Sequence, residues 1–278
     1  MKIKHCLLLT MCLCMAIATY AQTYTIGSYN LRFANPRDTG NLWVNRVPVM
    51  ANLIRFHNFD VFGTQEGLPN QLEDLNNALP EYQRYGLGRD DGKDAGEHSA
   101  IFFRKDKFKL LNKGDFWLSQ TPDKPSLGWD ATCCNRICSW VYLQDVKSKK
   151  KFYFFNVHYD HQAVIAREES SKLILQRIAA IAGKEPVILT GDFNGDHESS
   201  WYKRVANSGI LKDTYQQAIR PYANNGSFNG FRVTKGDNII DHIFTSAGFK
   251  VNRWGVLTDS YHGKYPSDHF PILTEVSF

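Results

Sequence analysis

Val187-Ile188-Leu189-Thr190-Gly191-Asp192-Phe193-Asn194 is an apolar run that ends in a carboxylate and an amide. It is too short for a helix of its own, and its branched residues and closing glycine read as a strand buried on both faces. A carboxylate at the end of such a strand sits on a rigid element beside a loop, where binding and catalytic groups are positioned. Working outward, three other strands end in the same way. Asn30 closes Ile26-Gly27-Ser28-Tyr29, Glu66 follows Val61-Phe62-Gly63-Thr64-Gln65, and Asn156 and His158 interrupt the run that begins at Phe152. Being two apart, Asn156 and His158 share a face of their strand. A further polar cluster, Ser267-Asp268-His269, stands where a last strand should start and puts an imidazole beside a carboxylate.

Alternation and apolar runs predict strands over 24–31, 60–64, 100–104, 109–111, 137–143, 152–158, 187–191, 239–245 and 272–277. Helical spacing predicts helices over 46–56, 68–79 and 163–182, the last on Ile174, Ile178 and Ile181, and a shorter one over 199–207 capped by Ser199 or Ser200. Strands outnumber helices and several are apolar on both faces. That pattern calls for two packed sheets with helices outside, an α/β architecture in one domain over 22–278.

Lys2 and Lys4, an apolar stretch from Cys6 to Ala18 and the small residues before Gln22 have the layout of a signal peptide over 1–21. The stretch is too short for a comfortable membrane span, and neither Cys12 nor Cys14 has the small residues before it that lipid anchoring needs. The expected location is periplasmic or secreted, with no stable membrane insertion and no obligate protein partner. Losing the two lysines takes the formal charge from +5 to +3, which permits a polyanionic substrate without demanding one. Cys133, Cys134 and Cys138 remain, an odd number in a tight cluster that excludes a disulfide framework. They read as free or locally bridged thiols, because no second ligand pair lies nearby in sequence for zinc.

Glu66, Asp192 and Asp268 offer hard oxygen ligands, and Asn30 and Asn194 offer amides. This set suits magnesium or manganese better than zinc. Although His158, His161, His197, His262 and His269 could supply imidazoles, no His-Glu-x-x-His pair is present, and no Gly-x-Ser-x-Gly elbow supports serine hydrolysis. Carboxylates, two histidines and amides are what phosphate ester hydrolysis requires: charge neutralisation, a positioned water and a proton for the leaving oxygen.

Ser28-Tyr29-Asn30-Leu31-Arg32, Gln65-Glu66, Asn156-Val157-His158, Gly191-Asp192-Phe193-Asn194, Ile240-Asp241-His242-Ile243-Phe244 and Ser267-Asp268-His269 resemble, in order, the motif series of the endonuclease/exonuclease/phosphatase superfamily. The resemblance implies a four-layered α/β sandwich of the DNase I-like kind and a Mg2+-dependent phosphoesterase, with Mn2+ as substitute. It implies Glu66 as principal metal ligand with Asn30 beside it and Asp268 near the metal. Asp192 would orient or deprotonate the attacking water, and Asn194 would hold that water or a phosphate oxygen. His158 and His269 would contact the phosphate and share proton transfer, with Asp241 fixing the tautomer of His269; which histidine is acid and which base stays open.

The segments Phe116-Trp117-Leu118-Ser119, Gly128-Trp129-Asp130 and Arg136-Ile137-Cys138-Ser139-Trp140 resemble an exported bacterial branch akin to deadenylase-like phosphodiesterases, whereas the inositol polyphosphate phosphatase signature is absent. The leading expectation is an exported phosphodiesterase or nuclease acting on a phosphoester, nucleic acid or nucleotide. The alternatives are a phosphomonoesterase or lipid headgroup hydrolase on the same core and, behind these, a non-catalytic binding module. The loop 88–98 with Trp43, Trp117, Trp129 and Tyr261 is the expected rim for stacking a base or sugar, and Arg32, Arg104 and Arg136 are the expected phosphate contacts.

Overall fold

The computed structural model describes residues 22–233 and 236–278; the expected signal peptide, 1–21, lies outside the described residues. Two six-stranded sheets pack face to face. The first runs in the order β11 (Lys250–Val256), β12 (Ile272–Ser277), β1 (Thr23–Asn30), β2 (Val61–Gln65), β4 (Ile101–Arg104), β3 (Tyr82–Tyr85). The second runs β5 (Phe108–Trp117), β6 (Ile137–Asp145), β7 (Lys151–His158), β8 (Val187–Asp192), β10 (Asp241–Thr245), β9 (Lys212–Asp213). In each sheet one central pair is parallel, β1 with β2 and β7 with β8, and every other pairing is antiparallel. Each parallel pair is bridged by a helix, α1 (Trp43–Phe56) or α3 (Val164–Ala182), because parallel strands need a long crossover.

Period-two alternation sorts the side chains into layers. Ile26, Val61, Phe103, Phe154, Ile188 and Ile272 face the seam between the sheets. Tyr29, Phe62 and Phe102 turn outward against α1 and α2 (Pro69–Ala78), while Phe155, Val157 and Leu189 turn outward against α3 and α4 (Ser200–Ala206). The expected four layers are therefore present.

The departures from expectation have local causes. β3, β9, β11 and the short α5 (Thr214–Gln217) escape the pattern: β3 and β9 are brief, and the exposed Asn252 and Arg253 interrupt β11 at a register shift. α1 starts ahead of Arg46 and keeps Pro48 inside; the i−4 carbonyl that Pro48 leaves without a donor belongs to the exposed Val44, which water can serve. Ser199 takes the N-cap backbone position of α4 without capping it, since its hydroxyl donates to Asp196 at 3.1 Å instead.

Polar side chains cross the seam, and Asn156 makes several bonds there. Asn156 donates to the carbonyls of Thr64 (2.8 Å) and Ala100 (3.1 Å), and its oxygen accepts from Gln65 (2.8 Å) and Thr190 (3.0 Å). It sits where a Cβ on Gly63 would come within 2.2 Å, so glycine leaves room for the tie. Replacing Asn156 with alanine strands several buried polar groups at about 1–3 kcal/mol each. The expected loss is about 3 kcal/mol or more in urea denaturation; a midpoint equal to wild type would show the tie to be idle.

Candidate active site

The C-terminal ends of β1, β2, β7 and β8 meet the starts of β10 and β12 around a cavity of about 570 Å3. Glu66, His158, Asp192, Asn194, Asp268 and His269 line it. Asn30 and Asp241 stand one layer behind and are fully buried. All eight residues expected from sequence are thus brought to one place. Three residues around the cavity, Arg32 (φ 54°), Glu66 (φ 62°) and Asn194 (φ 45°), adopt the left-handed region directly after or near their strands. Such backbone is costly for residues with a Cβ and turns the side chain out of the strand direction toward the cavity.

Asp192 is the hub. Asn30 donates its amide to Asp192 Oδ2 (3.0 Å) and the backbone N–H of Asn194 donates to Oδ1 (2.9 Å). His158 Nε2 lies 3.6 Å and His269 Nε2 3.8 Å from the same Oδ2. Burial, with the Asp241 charge adding to it, pushes the Asp192 carboxyl up to about 7. The two histidines are driven apart. Burial and the nearby Arg136 and Arg89 hold His158 well below its ordinary value. For His269 burial opposes charge, yet Asp241, Asp192 and Asp268 together lift it well above. Its Nδ1 meets Asp241 Oδ2 at 2.8 Å, the contact that fixes the ring.

Glu66 and Asp268 form the second acidic corner. Glu66 accepts from the Asn30 amide (3.1 Å) and the Phe33 backbone N–H (3.1 Å). Burial raises the Asp268 carboxyl to about 6, and the Glu66 charge adds to the rise. A half-buried and a buried carboxylate repelling each other beside open cavity are hard oxygen donors that a small divalent cation would relieve, so the residues fit magnesium or manganese. Asn30 stands beside Glu66 as expected, but it presents its NH2 to Glu66 and Asp192 while its oxygen accepts from Arg32 N (2.9 Å); in this arrangement it orients those two carboxylates.

Sequence reasoning missed the scaffold of this corner. Arg46 on α1 is fully buried and donates to the carbonyls of Leu31 (2.6 Å), Arg32 (2.9 Å), Asn41 (2.8 Å) and Pro266 (3.0 Å). It ties the end of β1 to the segment that carries Asp268, and Ser267 adds a 2.6 Å bond to the Asn30 carbonyl. No linear motif marks it, because its partners are backbone groups far apart in sequence.

A family model described as the endonuclease/exonuclease/phosphatase family matches residues 27–269. The chain belongs to the endonuclease/exonuclease/phosphatase family. An endonuclease/exonuclease/phosphatase family protein from Bacteroides thetaiotaomicron is 47% identical, with 93% of this chain and 99% of that one covered and a TM-score of 0.91. A mannosyl-6-phosphatase from Bacteroides thetaiotaomicron is also 47% identical, covering 92% of this chain and 100% of its own, with a TM-score of 0.90. The human nocturnin catalytic domain shares the fold at 20% identity, covering 92% and 94%, with a TM-score of 0.72.

Outside the family's motif series the expected rim is corrected. None of Trp43, Trp117, Trp129 and Tyr261 lines the cavity. Trp43 and Trp117 are buried and donate their indole N–H groups to Asp74 and to the Arg89 carbonyl. The aromatic faces at the opening are Phe33 and the half-exposed Phe228, whose ring meets His269 edge-on at 5.1 Å. Arg104 pairs with Asp106 and is absent from the cavity, whereas Arg32 and Arg136 line it. The loop 88–98 contributes Arg89 and Glu97. Cys133, Cys134 and Cys138 are free, the last buried, and folding brings Asp160 and His161 near Cys133 although sequence offered it no partners. His161 there engages Arg136 at 2.8 Å.

Proposed function

We propose that this chain is an exported, divalent-metal-dependent phosphomonoesterase acting on a sugar phosphate, a single catalytic domain over 22–278. Hydrolysis of phosphoesters follows from family membership; the monoester preference rests on the cationic wall of the cavity. Arg136 is buried, and its Nη1 has no hydrogen-bond partner although the side chain lines the cavity. Arg32 and Arg89 share that cavity, and His269 is held charged. A monoester carries nearly two negative charges at neutral pH and three terminal oxygens, one more charge and one more oxygen than a diester offers. The similarity to a mannosyl-6-phosphatase points the same way, and Phe228 gives a sugar ring an apolar face.

In this reading Asp192, poised near neutrality, takes the proton of the attacking water as the new P–O bond forms. Asn194, its N–H bound to Asp192, turns its side chain toward the Tyr159 carbonyl (3.0 Å) and stiffens the loop beside the attacking oxygen. His269 gives its proton to the leaving oxygen as the ester P–O bond breaks, and Asp241 holds the imidazole in position. Neutral His158 donates one ring N–H to a phosphoryl oxygen. A cation held by Glu66 and Asp268 would supply charge neutralisation on the phosphoryl group.

The test is phosphate release from mannose 6-phosphate and p-nitrophenyl phosphate against cleavage of bis(p-nitrophenyl) phosphate and oligonucleotides, all with magnesium. Arg136→Ala is expected to lower kcat/KM on the monoester by about 10- to 100-fold, the worth of a hydrogen bond to a charged group. Faster cleavage of diesters than monoesters by the wild type would return the nuclease reading.

A further inference from the structure

The strand that turns Asp241 toward His269 behind the cavity carries the next residue, His242, to the opposite face of the second sheet. There the loop between β8 and α4 and the short β9 close over it. Three groups that the hydrolytic site leaves unused converge at that point: His197 from the loop, Asp213 from β9 and His242 from β10, with ligand atoms all within 4.8 Å of one another.

The imidazole protons are the decisive detail. His242 Nε2 lies 2.9 Å from the carbonyl oxygen of Gly195, which can only accept, so the ring proton sits on Nε2 and a neutral ring has a bare Nδ1. That lone pair faces Asp213 Oδ2 at 3.7 Å. His197 Nε2 faces the same oxygen at 3.5 Å, and this nitrogen is buried without a hydrogen-bond partner. An imidazole hydrogen-bonded to a carboxylate stands about 2.7–3.2 Å away. The observed separations instead approach the edge, about 3.4 Å, of a tetrahedron whose ligands stand about 2.1 Å from zinc.

The surroundings are those of a ligand set. Tyr202 donates its hydroxyl to Asp213 Oδ2 (2.6 Å) and the Tyr215 N–H donates to Oδ1 (2.9 Å), which fixes the carboxylate. The Gly195 carbonyl orients His242 as outer partners orient a metal-bound imidazole. The His197 ring lies stacked on Tyr215, with centroids 4.7 Å apart and planes 18° from parallel.

We propose that His197, Asp213 and His242 form a second cation site of zinc type, separate from the hydrolytic cavity, with its open position reached past the partly exposed His197. Imidazole and carboxylate donors at tetrahedral spacing suit Zn2+, whereas the oxygen-rich corner at Glu66 suits Mg2+. Bound there, the ion would staple the loop that carries Asn194 and Gly195 to the two strands beneath it.

The measurement is zinc content and zinc-dependent melting of the whole protein, with Glu66→Gln as background to remove the competing cavity ligand. Glu66→Gln protein is expected to hold one equivalent of zinc after dialysis and to melt higher with zinc than after chelation. His197→Ala in the same background, an alteration at a partly exposed side chain, is expected to lose that equivalent and the zinc-dependent shift while keeping the circular dichroism of the chelated parent. Equal zinc content with and without His197, or a melting temperature of the Glu66→Gln protein that zinc leaves unmoved, would overturn the site.

Discussion

Replacing His269 with alanine is expected to lower kcat on a phosphate monoester by about 10²- to 10⁴-fold, the usual contribution of a positioned general acid. The size follows from its surroundings. Burial alone would keep the ring neutral, and it is charged because Asp241, Asp192 and Asp268 converge on it. Alanine therefore removes the proposed proton donor and leaves those carboxylates without the imidazole they surround. Asp241 is fully buried and one of its oxygens already has no partner, so losing the 2.8 Å contact to His269 also costs stability, about 3–5 kcal/mol for a broken buried pair. His269→Asn separates the two effects: a side-chain amide can still donate to Asp241, but it cannot deliver a proton. If His269→Asn melts near the wild type and keeps more than about a tenth of its turnover, the acid role fails.

The second large effect is at the acidic corner. Chelation of divalent cations, and separately Glu66→Gln, should each cost about three decades of activity, because charge neutralisation by a cation is worth several kcal/mol and each decade is about 1.36. Glu66 is held by two donors, the Asn30 amide and the Phe33 N–H, one on each oxygen. Glutamine keeps the shape but must turn an NH2 toward one of them, so both the ligand charge and the orientation are lost. Magnesium titration of activity gives the separate readout, with half-saturation expected to rise at least about tenfold in Glu66→Gln, as for loss of a shell residue. An unchanged magnesium requirement would remove Glu66 from the cation site.

The location of the site residues was legible where strand periodicity and polar interruption coincide. A buried strand has few reasons to end in Asp192 or to carry His158, and both lie at the cavity. The same reading could not separate Asn156 from His158, since both sit on the same face of β7 two residues apart. One enters the cavity and the other ties the sheets together, and only the distance from the strand end decides it. Tryptophans mislead for a related reason: a large ring with one donor packs equally well against a core carbonyl or a ligand, and Trp117 found the Arg89 carbonyl. Arg46, Phe228 and the groups around Asp213 were invisible because their partners are set by tertiary neighbours, with no spacing in the chain to announce them. Strands such as β9 fall below the length at which any period can be read.

The two sheets are built on one plan. Each reads, edge to edge, as two antiparallel strands, a helix-bridged parallel pair and two more antiparallel strands. Superposing the plans sets β1 on β7 and β2 on β8, and so sets Asn30 on His158 and Glu66 next to Asp192 as corresponding outcrops of two half-molecules. The strand plan repeats while the halves contribute different groups, one carrying Glu66 and Asp268 and the other His158, Asp192 and Asp241. Neither half holds a working site. Turnover is therefore a reporter of docking between halves: a folding intermediate with one complete sheet would show native-like circular dichroism for that half and no hydrolysis at all.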